Sequence, residues 1–236
     1  MKREELYYFY LILFHIGIGF VIFLFPILAK IYGFSILFLG SYFIIKKQNK
    51  NQEVLLVAAY LVGSEVFLRM TGGTISYEFS KYGVMIFLVM GMYYSGFSKT
   101  AVPYWIFLLL LIPGVILSTF VLNFDTNIRT TIAFNISGPV CLGVASIYTY
   151  RRKIALERMY DIMLCLGLPI ISCMVYLTFY TPNIRDVLTS TQSNFETSGG
   201  YGPNQVATFL GLGMFIFFSR VILNSRTKFM VVINLI

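Results

Sequence analysis

The sequence predicts an all-α fold, a polytopic transmembrane helical bundle with about eight complete spans and an incomplete ninth, and three observations predict it. Of its 236 residues 58% are hydrophobic, 17% aromatic and only 12% charged, with a mean hydropathy of +0.78, far from the balance of soluble domains. Apolar runs close to the roughly 20 residues that cross a bilayer recur from one end to the other. Lys and Arg fall alternately between those runs, as short loops on two sides of a membrane require. No stretch reads as a separate soluble domain, so residues 1–236 form a single transmembrane domain.

Taken in order, the first span, near 7–28, follows "MKREE". That start resembles the charged head of a signal peptide, but the apolar run is too long and no small-residue cleavage site follows, so it reads as a retained anchor. Further spans fall near 31–45, 54–69, 82–98, 103–122, 138–150, 162–180 and 204–224, the second and sixth being short. The sixth opens with "FNISGPV", where Gly138 and Pro139 suit the first turn of a helix. After the turn "NSRTK" a last apolar run, "FMVVINLI", stops at Ile236. Eight helical residues rise about 12 Å against a hydrocarbon core of roughly 30 Å, leaving unpaired carbonyls and a carboxylate in oil. The chain is therefore expected to be the N-terminal, truncated part of a longer protein.

Orientation follows from the cations. With the N-terminus in the cytoplasm, the cytoplasmic segments hold Lys2, Arg3, Lys46, Lys47, Lys50, Lys99, Arg151, Arg152, Lys153, Arg158, Arg220, Arg226 and Lys228, thirteen of the eighteen Lys and Arg. Lys30, Arg69, Lys81, Arg129 and Arg185 lie outside, and the alternation holds at every turn.

The formal charge of +8 does not indicate nucleic acid, because these cations sit beside spans, where topology and anionic lipid headgroups account for them. Cys141, Cys165 and Cys173 lie inside spans without metal-ligand spacing and read as small core residues. His15 is the only histidine and lies mid-span, where a buried structural role is expected. With no histidine partner, cysteine cluster or H-E-x-x-H helix, neither a metal nor another cofactor is expected. Glu65 and Arg69 stand four apart on the third span, the spacing of a helix-face ion pair.

Three outer segments are longer and polar, and the third carries "SNFETSGGYGPNQVATFLGLGMF". The span it feeds runs from outside to inside, so its N-terminus at Gly202, Pro203 and Asn204 faces outward with four backbone N–H groups expected to be free. Together with the helix dipole these make a partly positive site, and Gly199, Gly200 and Gly202 let a bulky anion approach the backbone. Asn204 and Gln205 add amides expected to face the bundle interior. Arg129 and Arg185 are candidates for bidentate pairing with a diphosphate. The same residues also read as a turn with a helix cap and as interfacial anchors.

The collar just quoted, with "FNISGP" and the basic "YRRK" upstream, resembles the opening of the conserved region in the O-antigen ligase and polysaccharide polymerase family. The likeness covers about 80 residues from Phe134 to Phe215, within a region 134–236 that resembles the start of that conserved part. It implies a multi-pass glycosyltransferase of the bacterial inner (cytoplasmic) membrane. Such an enzyme moves a glycan from an undecaprenyl diphosphate carrier to lipid A core or a growing chain on the periplasmic side, without a metal and with inversion. Carried over residue by residue, Ser198, Gly199, Gly200, Gly202, Pro203, Asn204 and Gln205 would line the lumen near the carrier headgroup. The family's arginine-bearing "SRGG"-like segment and its large catalytic loop lie beyond position 236, so no catalytic residue is assigned and this chain is expected to be inactive by itself. The implied partners are membrane lipids, the lipid-linked glycan and its acceptor. A polytopic transporter or flippase is the alternative reading, supported by the number of spans and by Glu65, a membrane carboxylate of the kind that marks ion paths.

Overall fold

A computed structural model describes residues 3–121, 127–181, 194–225 and 227–235. Among these residues it contains nine α-helices and no strand: α1 (Arg3–Leu24), α2 (Leu28–Lys47), α3 (Glu53–Met70), α4 (Phe79–Ser95), α5 (Val102–Val121), α6 (Ile128–Thr149), α7 (Leu156–Tyr180), α8 (Pro203–Leu223) and α9 (Lys228–Leu235). A 3-10 turn, Glu196–Ser198, precedes α8.

The helix boundaries have local causes. Phe25 follows α1 directly and precedes Pro26, and a residue before proline is pushed out of the helical region. After α2 the chain turns through Gln48 (φ 53°) and Asn49 (φ 52°), left-handed conformations that Asn tolerates better than most residues. Asn49 is buried, and its side chain holds the turn: Nδ2 donates to Ser95 Oγ (2.7 Å) and to the Tyr148 hydroxyl (2.8 Å), and Oδ1 accepts from the Val54 N–H. Arg152 fastens the same end, with Nη2 on the Gly96 carbonyl (2.7 Å) and Nε on the Tyr148 carbonyl (3.0 Å). A cation at two helix C-termini also suits their dipoles.

Six helices are long and apolar enough to cross a membrane: α1, α2, α5, α6, α7 and α8, the last together with its 3-10 turn. This marks a helical membrane protein and differs from the expected count of eight complete spans. The two that fall short are α3, with 18 residues including Glu53, Glu65 and Arg69, and α4, with 17. Both are shielded by neighbours: α3 packs along α7, α4 and α2, and α4 along α6 as well.

Small residues set the tightest approaches. A β-carbon on Gly63 of α3 would lie well inside van der Waals contact with the backbone carbonyl oxygen of Leu166 on α7, and one on Gly19 of α1 would reach the Ser172 carbonyl at 2.5 Å. Dispersion between closely packed backbones is what holds helices together in lipid, where apolar burial alone gives little. Phe67, Cys173, Ile170 and Phe209 fill the core between α3, α7 and α8, while Ile44, Leu61, Phe87 and Tyr148 fill that between α2, α3, α4 and α6. By contrast α5 buries no residue and packs mainly on α6.

The sixth span differs from its expected form. Instead of opening at Gly138, α6 starts at Ile128, with the Asn127 side chain accepting from the Thr130 N–H at 3.2 Å, and Pro139 lies inside the helix. Asn127 is the effective cap because its side chain satisfies an N–H that the helix start leaves unpaired. The interior proline removes one backbone bond, a loss that membrane helices tolerate when neighbours compensate.

Contacts between turns show that the helices run in alternating directions, which gives the bundle two unlike ends. One gathers the turns after α2, α4 and α6, joined by Asn49, Arg152 and a bond from Gln52 Nε2 to the Lys153 carbonyl. The end of α8 lies there with the start of α1, where Arg220 stands over the Tyr8 ring and the Tyr8 hydroxyl donates to Asn234 of α9. The other gathers the ends of α3 and α7 and the starts of α2, α4 and α8. Among the described residues, eleven Lys and Arg lie at the first, basic end and Lys30, Arg69, Lys81 and Arg129 at the second, collar end.

Candidate functional site at the collar end

The collar is a self-bonded knot. The Asn194 side chain accepts from the Glu196 N–H (2.7 Å), and the Gly200 N–H donates to the Phe195 carbonyl (2.9 Å). Ser198 is buried, with its single hydroxyl proton within reach of the Tyr201 carbonyl (2.7 Å) and those of Asn194 and Phe195 (both 3.0 Å). Gly199 and Gly200 have φ of 69° and 71°, a left-handed pair that needs glycine.

The expected set of four free N–H groups is reduced by two. Pro203, the first residue of α8, has none, and the Gly202 carbonyl accepts from both Gln205 (3.0 Å) and Val206 (3.1 Å). The Val206 bond is the ordinary first one of the helix, and the 3-10 bond takes up the Gln205 N–H, a donor that an open helix start would present. Nor does Gly199 leave an open approach, since a β-carbon there would lie 2.5 Å from Met70 Sδ and 3.0 Å from a methyl of Leu177. Its missing side chain lets the collar sit on α3 and α7.

Asn204 and Gln205 were expected to face inward and instead are exposed. Val206 and Phe209 occupy the buried face of α8, and helical geometry turns 204 and 205 away from it. Gln205 folds back beside Gly202. Arg129 is exposed on the first turn of α6, a helix that packs on α4 and α5, whereas α8 packs on α7, α9 and α3. Among the described residues Arg129 makes no hydrogen bond or ion pair with the collar, and Arg185 lies outside the described residues.

What the collar does meet is the end of α3. Arg69 forms the expected ion pair with Glu65 and also donates Nη1 to the Tyr201 hydroxyl (3.0 Å) and Nη2 to the Tyr77 carbonyl (2.7 Å). Its guanidinium carbon stands 3.9 Å from the centroid of the Tyr77 ring, a cation-π distance. Lys81 Nζ lies 5.2 Å from the same ring and donates to Ser137 Oγ of α6 (3.0 Å). Lys81 makes no ion pair among the described residues. Phe134 packs on Tyr77 with ring centroids 4.7 Å apart.

Arg69, Tyr77, Lys81 and Tyr201 thus form a cationic, aromatic cluster that joins collar, α3, α4 and α6. Sequence reasoning took Arg69 only as the partner of Glu65 and left the other three unassigned. One signal was present: Glu65 and Arg69 stand four apart on an otherwise apolar segment, a charged pair that must meet protein rather than lipid.

A second polar line runs through the middle of the bundle. His15 is buried, with Nδ1 2.7 Å from the Leu11 carbonyl and Nε2 3.0 Å from the Tyr60 hydroxyl, which in turn lies 2.9 Å from the Tyr32 hydroxyl. Among the described residues no three of His, Cys, Asp and Glu converge on a point that would hold a metal.

No family model matches this chain, and no curated protein or solved structure shows significant similarity to it.

Proposed function

We propose that the chain belongs to the membrane-embedded part of an O-antigen ligase or polysaccharide polymerase, with the collar end on the periplasmic side of the bacterial inner membrane. In this reading α3 and α4 cross the bilayer with the six apolar helices. The bundle then receives an undecaprenyl diphosphate-linked glycan, and residues supplied from elsewhere carry out transfer to lipid A core or a growing chain.

The observation that carries the proposal is the Lys81 ammonium at the collar end, bonded to Ser137 and set beside Arg69 on the Tyr77 ring. A diphosphate leaving group needs cations positioned before its charge develops. Arg69 is already paired with Glu65, and Lys81 adds a second cation beside it for an anion to meet. The collar contributes shape rather than N–H donors, by seating Tyr201 against Arg69. The likeness of "SGGYGPNQ" to the family's collar supports the same reading from the sequence side. Against the transporter or flippase alternative, Glu65 has a plain role as the partner of Arg69.

The test is transfer of lipid-linked glycan in membranes of cells carrying the whole gene. Lys81→Gln is expected to lower transfer about tenfold or more, the loss of one charge-assisted contact to phosphate, while Lys81→Arg keeps most of it. Wild-type transfer by Lys81→Gln, at equal protein in the membrane, would remove the assigned role.

A further inference from the structure

Arg220 is buried, only 6% exposed, in the last turn of α8, and it forms no ion pair among the described residues. Its guanidinium carbon stands 4.9 Å from the centroid of the Tyr8 ring of α1. A π-face attracts a cation without neutralising it. The Tyr8 hydroxyl lies within reach of Arg220 and donates to Asn234 of α9, so its oxygen can accept from the guanidinium but carries no balancing charge. The side chains around it are engaged with one another. Asn234 Nδ2 donates to Ser225 Oγ (3.0 Å) and to the Met230 carbonyl (2.9 Å), and Ser225 Oγ donates to the Arg220 carbonyl (3.0 Å).

Arg220 Nε is sealed away with no hydrogen-bond partner, a state that neither Nη shares. A guanidinium carries five N–H donors and Tyr8 offers it one oxygen, so the fork of Nη atoms is short of acceptors. A buried charge in this state is costly until an anion completes it. Arg220 lies three residues before Leu223, the last of α8, and so about 4.5 Å from the helix end. For a spanning helix that is the depth of the headgroup boundary. The anion found at that depth is a phosphate group, whose paired oxygens match the guanidinium fork.

We propose that Arg220 binds a phosphate group, carried by a lipid headgroup or free, in a site between α1, α8 and α9 at the basic end. The phosphate oxygens supply the acceptors that the Nη fork lacks, and their charge balances the buried cation. The Tyr8 ring backs the guanidinium, and Asn234 holds the Tyr8 hydroxyl in place while bonding to Ser225 beside the end of α8. This site lies at the opposite end from the collar and is independent of the glycan-transfer reading.

The whole chain, purified in a neutral detergent and stripped of lipid, tests it by titration with phosphatidic acid, with diacylglycerol of the same chains and with inorganic phosphate. Binding is read from the rise in unfolding temperature, which reports affinity for the folded state. Phosphatidic acid is expected to raise it, and diacylglycerol, which lacks only the phosphate, to leave it unchanged. A rise with phosphatidic acid but not inorganic phosphate assigns the site to a lipid headgroup, and a rise with inorganic phosphate assigns it to the free anion. Arg220→Met is expected to bind the phosphate probe about tenfold more weakly, and to unfold without lipid no earlier than the wild type, since the unbalanced charge is gone. Arg220→Lys keeps the charge, loses the fork and is expected to bind several-fold more weakly. Lys99→Gln removes an exposed cation at the same end and is expected to bind as the wild type does. Equal response to phosphatidic acid and diacylglycerol with none to inorganic phosphate, or equal loss of binding in Arg220→Met and Lys99→Gln, would overturn the proposal. So would wild-type affinity in Arg220→Met or, should that variant not fold, in Arg220→Lys.

Discussion

Gly63→Val is expected to cost the bundle about 3 kcal/mol of stability, the upper part of the range for overpacking a tight interface. The added carbons would enter the space of the Leu166 carbonyl oxygen and its carbon, which are backbone atoms and have no rotamer to yield. Relief requires α3 and α7 to move apart, and α7 is also the helix on which α1 and α8 pack. The effect therefore reaches across most of the bundle. Gly17→Ala is the matched control, because nothing lies within 4 Å of a β-carbon at that position of α1. It is expected to be neutral or to stabilise by about 0.5 kcal/mol through helix propensity. Reversible unfolding in mixed micelles, followed by circular dichroism, measures both. Equal stability of the two variants would mean that the α3–α7 approach is looser than described.

The second large effect is expected at Glu65 and Arg69, where the partners should respond unequally. The Arg69 side chain is only 9% exposed and that of Glu65 27%. Glu65→Ala leaves a buried guanidinium with two neutral hydrogen-bond partners, the Tyr201 hydroxyl and the Tyr77 carbonyl. Stranding a buried charge in this way costs about 3 kcal/mol. Arg69→Met strands a carboxylate with better access to solvent or headgroups and should cost less. Glu65→Leu combined with Arg69→Met removes both charges and is expected to recover most of the loss, giving a coupling energy of about 2 kcal/mol in the double-mutant cycle. Additive single effects in that cycle would show that the pair does not act as a unit.

The physical reasons for what the sequence shows, and what it hides, differ from element to element. The apolar runs marked every helix from α1 to α8, since only a segment that satisfies its own backbone bonds can lie in oil. The start of α6 was hidden because "NIRTTIAFNIS" is too polar to extend an apolar run, and Pro139 imitates a first-turn proline. The cap that sets the boundary is the side chain of Asn127, eleven residues before Gly138. At the collar, the Gly-Pro start of α8 was legible at 203, yet whether its N–H groups stay free depends on a carbonyl two residues from Asn204. Spacing alone gave the Glu65–Arg69 pair. It could not give Tyr201 or the His15–Tyr60–Tyr32 line, whose members come from different helices and meet only through packing.

The account depends most on the collar end facing out of the cell, away from the side that carries eleven of the described cations. A chain with Cys141, Cys165 and Cys173 replaced by alanine, carrying Asn204→Cys or Lys99→Cys, can be treated in intact spheroplasts with a membrane-impermeant maleimide. The account predicts that Asn204→Cys is modified before lysis and Lys99→Cys only after it. Modification of Lys99→Cys in intact spheroplasts, with Asn204→Cys protected until lysis, would contradict it.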